Sequence, residues 1–245
     1  MHLELLAERI PDASKYPYTL PAVRNLKKLE FHPAVTFLVG ENGSGKSTIL
    51  EAVAVEYGLN PEGGSRNFNF ETRASHSSLA DSLRLARTLS HPADSYFLRA
   101  ESYFNVATQL EQLDVDEPGA YFTPPKLTPA YGGKSLHEQS HGESFFALFK
   151  NRFGDNGLYF LDEPEAALSP RRQLEFLVIM HDYIQRGGQF VIATHSPIIM
   201  AYPNARIYHL DATGIRDIAY TETEHYLITR RFLNNPTRGI DELLG

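Results

Sequence analysis

Val35-Thr-Phe-Leu-Val39 is an apolar run that stops at Gly40, and from Lys46 to Tyr57 the apolar residues Ile49, Leu50, Val53, Ala54 and Tyr57 recur at helical spacing. A short, predominantly apolar run that ends at glycine predicts a buried strand, as in a parallel sheet; the i, i+3, i+4 spacing predicts a helix with a buried stripe. Gly58 and Pro61 stop that helix. Further strand-like runs are Tyr96-Phe-Leu98, Leu158-Tyr-Phe-Leu161, Phe190-Val-Ile-Ala193 and Arg206-Ile-Tyr-His-Leu210, with helical patterns between several of them. Strands that alternate with helices predict an α/β domain with a mainly parallel core sheet flanked by helices.

Two stretches break this rhythm. Asn60 to Asn69 is rich in Gly and Asn, and Asp114 to Lys134 carries Pro118, Pro124, Pro125, Pro129 and Gly132-Gly133. Both read as long loops, and the second is the candidate for a partner-facing insertion. The absence of a repeat or heptad array excludes a coiled-coil arm. A chain of 245 residues suits one domain, 1–245, in which 60–140 contain an inserted helical/loop subdomain, with an antiparallel β part at the N-terminus.

Composition narrows the setting. With no cysteine, disulfides and thiolate metal sites are excluded, which fits a reducing compartment. Met1 to Arg9 lacks the basic head and apolar core of a signal peptide, and no segment approaches membrane-spanning length; the expectation is a soluble, cytoplasmic protein without membrane insertion. The formal charge of -7 provides no global attraction to nucleic acid or anionic lipid, so nucleic acid as a partner is unsupported.

The first chemistry-bearing motif joins the predicted strand to the predicted helix. Gly40-Glu41-Asn42-Gly43-Ser44-Gly45-Lys46-Ser47, followed by Thr48, matches G-x-x-x-x-G-K-[ST] at every fixed position. Its glycines let backbone N–H groups wrap a phosphate, and the helix N-terminus adds a favourable dipole. Lys46 would reach the β- and γ-phosphates of ATP and Ser47 would ligate Mg²⁺. The second motif is Leu158-Tyr-Phe-Leu-Asp162-Glu163, an apolar strand that ends in two acids. Asp162 can hold the Mg²⁺ shell while Glu163 leaves the strand towards an attacking water.

Asp162-Glu-Pro-Glu-Ala-Ala-Leu-Ser169 resembles the Walker B and D-loop of ABC-type ATPases. Ser169 can cap the helix that follows, with Pro170 in its first turn and Gly187-Gly188 at its end. In Phe190-Val-Ile-Ala-Thr-His195-Ser-Pro197, His195 stands at a strand exit where that family carries a switch histidine near the γ-phosphate. The motifs run from Gly40 to His195 in ABC order, and the chain is most similar to stand-alone bacterial ATPases related to the SMC and recombination-repair class.

Leu136 to Phe146 supports two readings. His137-Glu138-Gln-Ser-His141 fits the zinc-peptidase pattern H-E-x-x-H, in which histidines four apart on a helix bind Zn²⁺ and Glu138 acts as base; the third ligand must come from elsewhere, with Glu163 and Glu165 as candidates. Alternatively, Ser140-His-Gly142-Glu143 has capping-box spacing and starts a helix before the apolar run Phe145 to Phe149. The same four residues resemble the ABC signature motif, with His141 departing at its first glycine. In that family the motif contacts the γ-phosphate held by the opposite subunit, which implies a homodimer that closes on ATP. The ordered set of motifs favours the signature.

The resemblance implies an ATPase that hydrolyses Mg-ATP, with Lys46, Glu163 and His195 catalytic, driving an unidentified soluble protein partner of DNA-repair or phage-defence type. Three other roles stand beside it: a nucleotide-gated interaction module, the nucleotide-binding subunit of a transporter and the zinc peptidase. Where the family carries a Q-loop glutamine this chain has Tyr96-Phe-Leu-Arg99-Ala-Glu101, leaving Arg99 or Glu101 in its place. Tyr16 and Tyr18 are the aromatics available to stack on adenine.

Overall fold

The computed structural model describes residues 1–64, 77–87, 92–99 and 141–244. Its main sheet contains β3 (Val35–Val39), β5 (Asp94–Arg99), β6 (Gly157–Asp162), β7 (Gln189–Ala193), β8 (Arg206–Asp211) and β9 (Gly214–Asp217), in the order β5-β6-β7-β3-β8-β9. All neighbours are parallel except β8 and β9. A smaller antiparallel sheet joins β1 (His2–Leu5) to β2 (Lys28–Glu30) on one side and to β4 (Leu83–Ala86) on the other. This is the α/β fold expected, with the antiparallel part at the N-terminus.

The centre of the sheet is buried on both faces because β3, β6 and β7 are predominantly apolar. Val35, Phe37, Val39, Tyr159, Leu161, Phe190 and Ile192 point to one side. They meet helices α3 (His141–Arg152) and α4 (Pro170–Gln185) through Phe149, Phe153, Phe176 and Met180. Leu38, Leu158, Phe160 and Val191 point the other way, against α2 (Lys46–Tyr57) and the antiparallel sheet through Leu50, Val53, Leu3 and Leu83. Period-two alternation thus divides one hydrophobic run between two cores. The Phe153 and Tyr159 rings stack at 3.9 Å, and the Tyr159 hydroxyl donates to the Gly154 carbonyl at 2.8 Å, so the buried ring keeps its polar end paired.

Local chemistry ends the elements where the sequence places the stops. Gly58 takes φ +101° after α2. Ser169 Oγ accepts from Arg172 N at 3.4 Å to start α4, with Pro170 in its first turn. Gly188 N donates back to the Tyr183 carbonyl at 2.8 Å where α4 finishes.

A short helix α1 (Pro21–Arg24) buries Ala22 and Val23 in the same core as α2. At the other end the chain closes with α5 (Glu224–Asn234) and α6 (Pro236–Leu244). The amphipathic pattern from Thr221 to Gly245 predicts a helix packed on the core, but neither helix has a fully buried residue, and Leu227, Ile228, Leu233, Leu243 and Leu244 are exposed. Among the described residues, neither core cluster includes a residue of these two helices. Of the loop expectations, Asp114 to Lys134 and most of the 60–140 insertion lie outside the described residues.

Candidate functional site

The carboxyl ends of β3, β5, β6 and β7 meet at one edge of the sheet. Register sets Leu38 beside Ala193, Asp162 beside Ala193 and Arg99 beside Asp162, so residues more than a hundred positions apart in the chain emerge within one cleft. Open α/β sheets bind ligands at this edge because strand ends and helix N-termini converge there.

The loop 40–47 forms its turn through glycine conformations. Gly40 adopts φ +147°, and a Cβ there would lie 2.3 Å from the Leu210 carbonyl oxygen, so no larger residue fits. Gly45, in the left-handed region at φ +99°, precedes α2 with no side chain capping the helix. The first N–H groups of a twelve-residue helix are therefore left for an anion. Lys46 is 4% exposed, and its Nζ donates to the carbonyls of Gly40 at 3.0 Å and Glu41 at 2.9 Å. Burial pushes its ammonium below the ordinary lysine value, while Glu163, Asp162 and Glu165 oppose that shift. A buried cation bonded only to loop carbonyls, beside open N–H groups and a glycine-only turn, suits a polyphosphate.

Ser47 Oγ donates to Asp162 Oδ1 at 2.9 Å. These are the two hard oxygen donors assigned to the cation, and a hydroxyl and a carboxylate suit Mg²⁺. Arg99, not foreseen as an ion-pair partner here, sends Nη1 to Glu51 Oε2 at 2.7 Å while its Nε lies 3.8 Å from Asp162 Oδ2. Of the two residues available at the Q-loop position, Arg99 thus lies against Asp162; Glu101 falls outside the described residues.

Glu163 leaves β6 in the left-handed region, φ +50° and ψ +52°, and its N–H donates to the Ala193 carbonyl at 2.9 Å. A non-glycine residue there costs about 1–2 kcal/mol, a strain concentrated where a carboxylate must leave the strand at a particular angle. Its Oε1 stands 3.6 Å from His195 Nε2. Glu165 turns inward, and Oε1 accepts the backbone N–H of His195. Burial raises the Glu165 carboxyl above the ordinary glutamate value, and the His195 N–H partly offsets this. Glu165 is thus fixed to the His195 turn; the zinc-motif residues His137 and Glu138, for which it is a candidate third ligand, lie outside the described residues.

One functional-site residue was missed. His225 of α5 places Nε2 3.0 Å from His195 Nδ1, with the two ring centroids 5.2 Å apart and the ring planes at 60°. It belongs to no motif; its only signal in the sequence is a histidine on the inner side of an amphipathic helix. Glu41, Asn42, Glu163, His195, His225 and Thr229 line a cleft of about 660 Å³ beside the phosphate loop.

The two aromatics separate cleanly. Tyr18 is 3% exposed and its hydroxyl pairs with Ser82 Oγ at 2.8 Å, so it is a core residue, correcting its candidacy for adenine. Tyr16 is 63% exposed and its hydroxyl lies 2.9 Å from Thr48 Oγ1 at the end of the phosphate loop. In the contested segment, α3 begins at His141 and takes Gly142 and Glu143 in its first turn, while His137, Glu138 and Ser140 lie outside the described residues. Among the described residues no three His, Asp or Glu side chains gather as a metal site.

Residues 18–97 match a family model described as "AAA domain", and residues 135–201 match one described as "AAA domain, putative AbiEii toxin, Type IV TA system". The chain is similar to the cytochrome c biogenesis ATP-binding export protein CcmA of Rhizobium johnstonii, 28% identical over 186 residues that cover 69% of this chain and 80% of that protein. A 50-residue stretch is 42% identical to CcmA of Rhodopseudomonas palustris, covering 20% of this chain and 25% of that protein. Among solved structures it is similar to a dimeric bacterial ABC transporter cassette, at TM-score 0.47 and 15% identity over 90% of this chain and 99% of that one. It is also similar to the SMC head domain of Thermotoga maritima, at TM-score 0.41 and 15% identity over 78% and 92% of the two chains.

Proposed function

We propose, for a chain that is a P-loop ATPase of the ABC type, that ATP is hydrolysed at the interface of two copies closed on the nucleotide and that the cycle works on a soluble protein partner. The observation that carries this reading is the meeting of Lys46, Ser47, Asp162, Glu163 and His195 at one sheet edge. Lys46 and the N–H groups of the loop hold the phosphates, exchanging loop carbonyls for phosphate oxygens. Mg²⁺, held by Ser47 and Asp162, would supply charge neutralisation on the β- and γ-phosphates. Glu163 takes a proton from water and His195, its neighbour at 3.6 Å, orients the carboxylate and the transferred phosphoryl group. Tyr16 is the aromatic placed to cover the base.

Closure by a second copy is supported by the start of α3. Gly142 and Glu143 sit in its first turn, where helix N–H groups can meet a phosphate presented from across an interface. The DNA-repair or phage-defence setting of the partner follows from the resemblance to stand-alone ATPases.

The test measures ATP turnover and oligomeric state together in the wild type and in Glu163→Gln, with Mg²⁺ and ATP over a range of protein concentrations. Turnover that rises cooperatively with protein concentration, and an ATP-trapped dimer in the variant, support the proposal. Wild-type turnover retained by Glu163→Gln removes the assignment of the base.

The similarity to CcmA favours a second reading, a nucleotide-binding subunit of an export complex. Arg99 at the Q-loop position weighs against it, since the family couples to membrane domains through a glutamine there. Co-purification of this chain with an integral membrane protein would establish the second reading over the first.

A further inference from the structure

His225 is a titratable side chain in the cleft that no motif accounts for, and it comes from α5 near the C-terminus. Its Nε2 and the Nδ1 of His195 are 3.0 Å apart, so they share one proton. The two outer nitrogens, His195 Nε2 and His225 Nδ1, are buried and make no hydrogen bond. Burial and the nearby Lys46 cation hold both imidazoles below the ordinary histidine range. Two neutral rings joined by one hydrogen bond have only two arrangements, because each carries a single N–H.

In the first, His225 Nε2–H donates to His195 Nδ1, and the proton of His195 sits on Nε2. In the second, His195 donates through Nδ1 and presents a bare lone pair at Nε2. The surroundings choose between them. Glu163 Oε1 is 3.6 Å from His195 Nε2, and a carboxylate favours an N–H over a lone pair at that distance. The charged or titratable groups that act on His225 are Lys46, Glu224, His209 and Glu41. At the far end His225 Nδ1 is buried without a hydrogen-bond partner, where an unpaired lone pair costs less than an orphaned N–H. Both ends select the first arrangement.

We infer that His225 is a positioning residue of the hydrolytic site, which fixes His195 in the tautomer that presents Nε2–H to Glu163 and to the cleft. The inference rests on the reading of His195 and Glu163 given above. The helix is tied in place for this role. Tyr220 Oη donates to the Pro197 carbonyl at 2.8 Å, joining the lead-in of α5 to the loop after His195, and Thr223 Oγ1 caps α5 by accepting from Tyr226 N at 3.3 Å. Thr229, one turn beyond His225, lines the same cleft, so α5 forms a wall of the nucleotide site. The second nitrogen of a functional histidine decides what the first can do, and here the chain's last elements supply that control.

The first experiment reads the tautomer directly, by long-range ¹H–¹⁵N correlation of the imidazoles in the full-length wild type at a pH where both rings are neutral. The expected result is His195 protonated at Nε2; protonation at Nδ1 overturns the proposal. No ATP is needed, so this readout stands even if the ATPase reading fails, a failure that shows separately as absent turnover in the wild type. The second experiment compares kcat and KM for ATP. His225→Ala should lower kcat by about ten- to a hundredfold, the range for a partner that orients a site residue, and leave KM within about twofold. His225→Gln, whose amide N–H can donate from nearly the same place, should recover to within about threefold of wild type; His225→Leu should not. Equal losses in Gln and Leu, or an unchanged kcat in Ala, overturn the proposal.

Discussion

Ser47 Oγ donates to Asp162 Oδ1 at 2.9 Å, linking the first turn of α2 to the last residue of β6 across 115 positions of the chain. The pair supplies two oxygen donors and holds the phosphate loop against the acid strand before nucleotide arrives. Ser47→Ala removes one donor and leaves Asp162 without this hydrogen bond. The Mg²⁺ concentration for half-maximal turnover should rise by about ten- to a hundredfold, with turnover partly recovered at high Mg²⁺. A magnesium titration of ATPase activity checks this, and an unchanged requirement excludes Ser47 from the cation's ligands.

Arg99 should act in the opposite direction. Its Nε lies 3.8 Å from Asp162 Oδ2, and two unit charges at 4 Å interact by about 4 kcal/mol at an effective dielectric of 20. A fixed cation on the metal-binding acid therefore competes with a divalent ion. Arg99→Gln should lower the Mg²⁺ needed for half-maximal turnover by about three- to tenfold. It should also reduce stability, because Glu51 loses its 2.7 Å partner in a largely buried setting. A variant that needs more Mg²⁺ instead would show that the guanidinium helps hold phosphate.

These two contacts show how far the sequence could be read. The strands at 35–39, 158–161 and 190–193 were legible because each is a predominantly apolar run, the strand at 206–210 because Ile207, Tyr208 and Leu210 keep it strand-like between polar residues, and the phosphate loop and Asp162-Glu163 because their spacing is local. Arg99 could be placed near the site but not paired, since its contact with Glu51 depends on how β5 lies over α2. Tyr16 and Tyr18 are two residues apart with the same chemistry, and only the path of the chain leading into α1 sends one to solvent and the other to the core. His225 was illegible because its role is made by a contact with a residue thirty positions away on another element.

The histidine pair gives a pH dependence of definite sign. Burial first, then Lys46, depresses both pKa values below the 6.5 of a free imidazole. The unfolded chain therefore binds more protons than the folded one below that pH, so stability is fully present above about 6.5 and is lost as pH falls through the folded values. Glu165, raised by burial, contributes with the opposite sign from about 4.5 upwards, so total stability does not isolate the histidines. The difference between wild type and His225→Gln does. Denaturant midpoints measured from pH 7 to pH 5 should fall more steeply in the wild type, and NMR titration midpoints of both rings should lie below 6.5. A midpoint for His195 above 6.5 would mean that Glu163 outweighs burial and Lys46 together.

Gly40 and Gly43 allow the strain of the phosphate loop to be separated from its space. At Gly40, φ is +147°, a conformation open essentially to glycine alone, and a Cβ would sit 2.3 Å from the Leu210 carbonyl oxygen, which is held in the β8 strand. At Gly43, φ is +79° and a Cβ would meet nothing within 4 Å, so only the left-handed conformation is penalised. Gly43→Ala should cost about 1–2 kcal/mol. Gly40→Ala must add displacement of β3 from β8 to that strain, and should cost about 2–4 kcal/mol or more. Urea unfolding of the two variants measures the difference. Because Gly43→Ala keeps the sheet intact, calorimetry of ATP binding to it reads the loop alone, and a loss of affinity there would arise from the loop's own N–H groups turning away from phosphate. Equal destabilisation by the two substitutions would mean that the Leu210 carbonyl yields, and that the end of β3 is not held as tightly as its pairing with β8 requires.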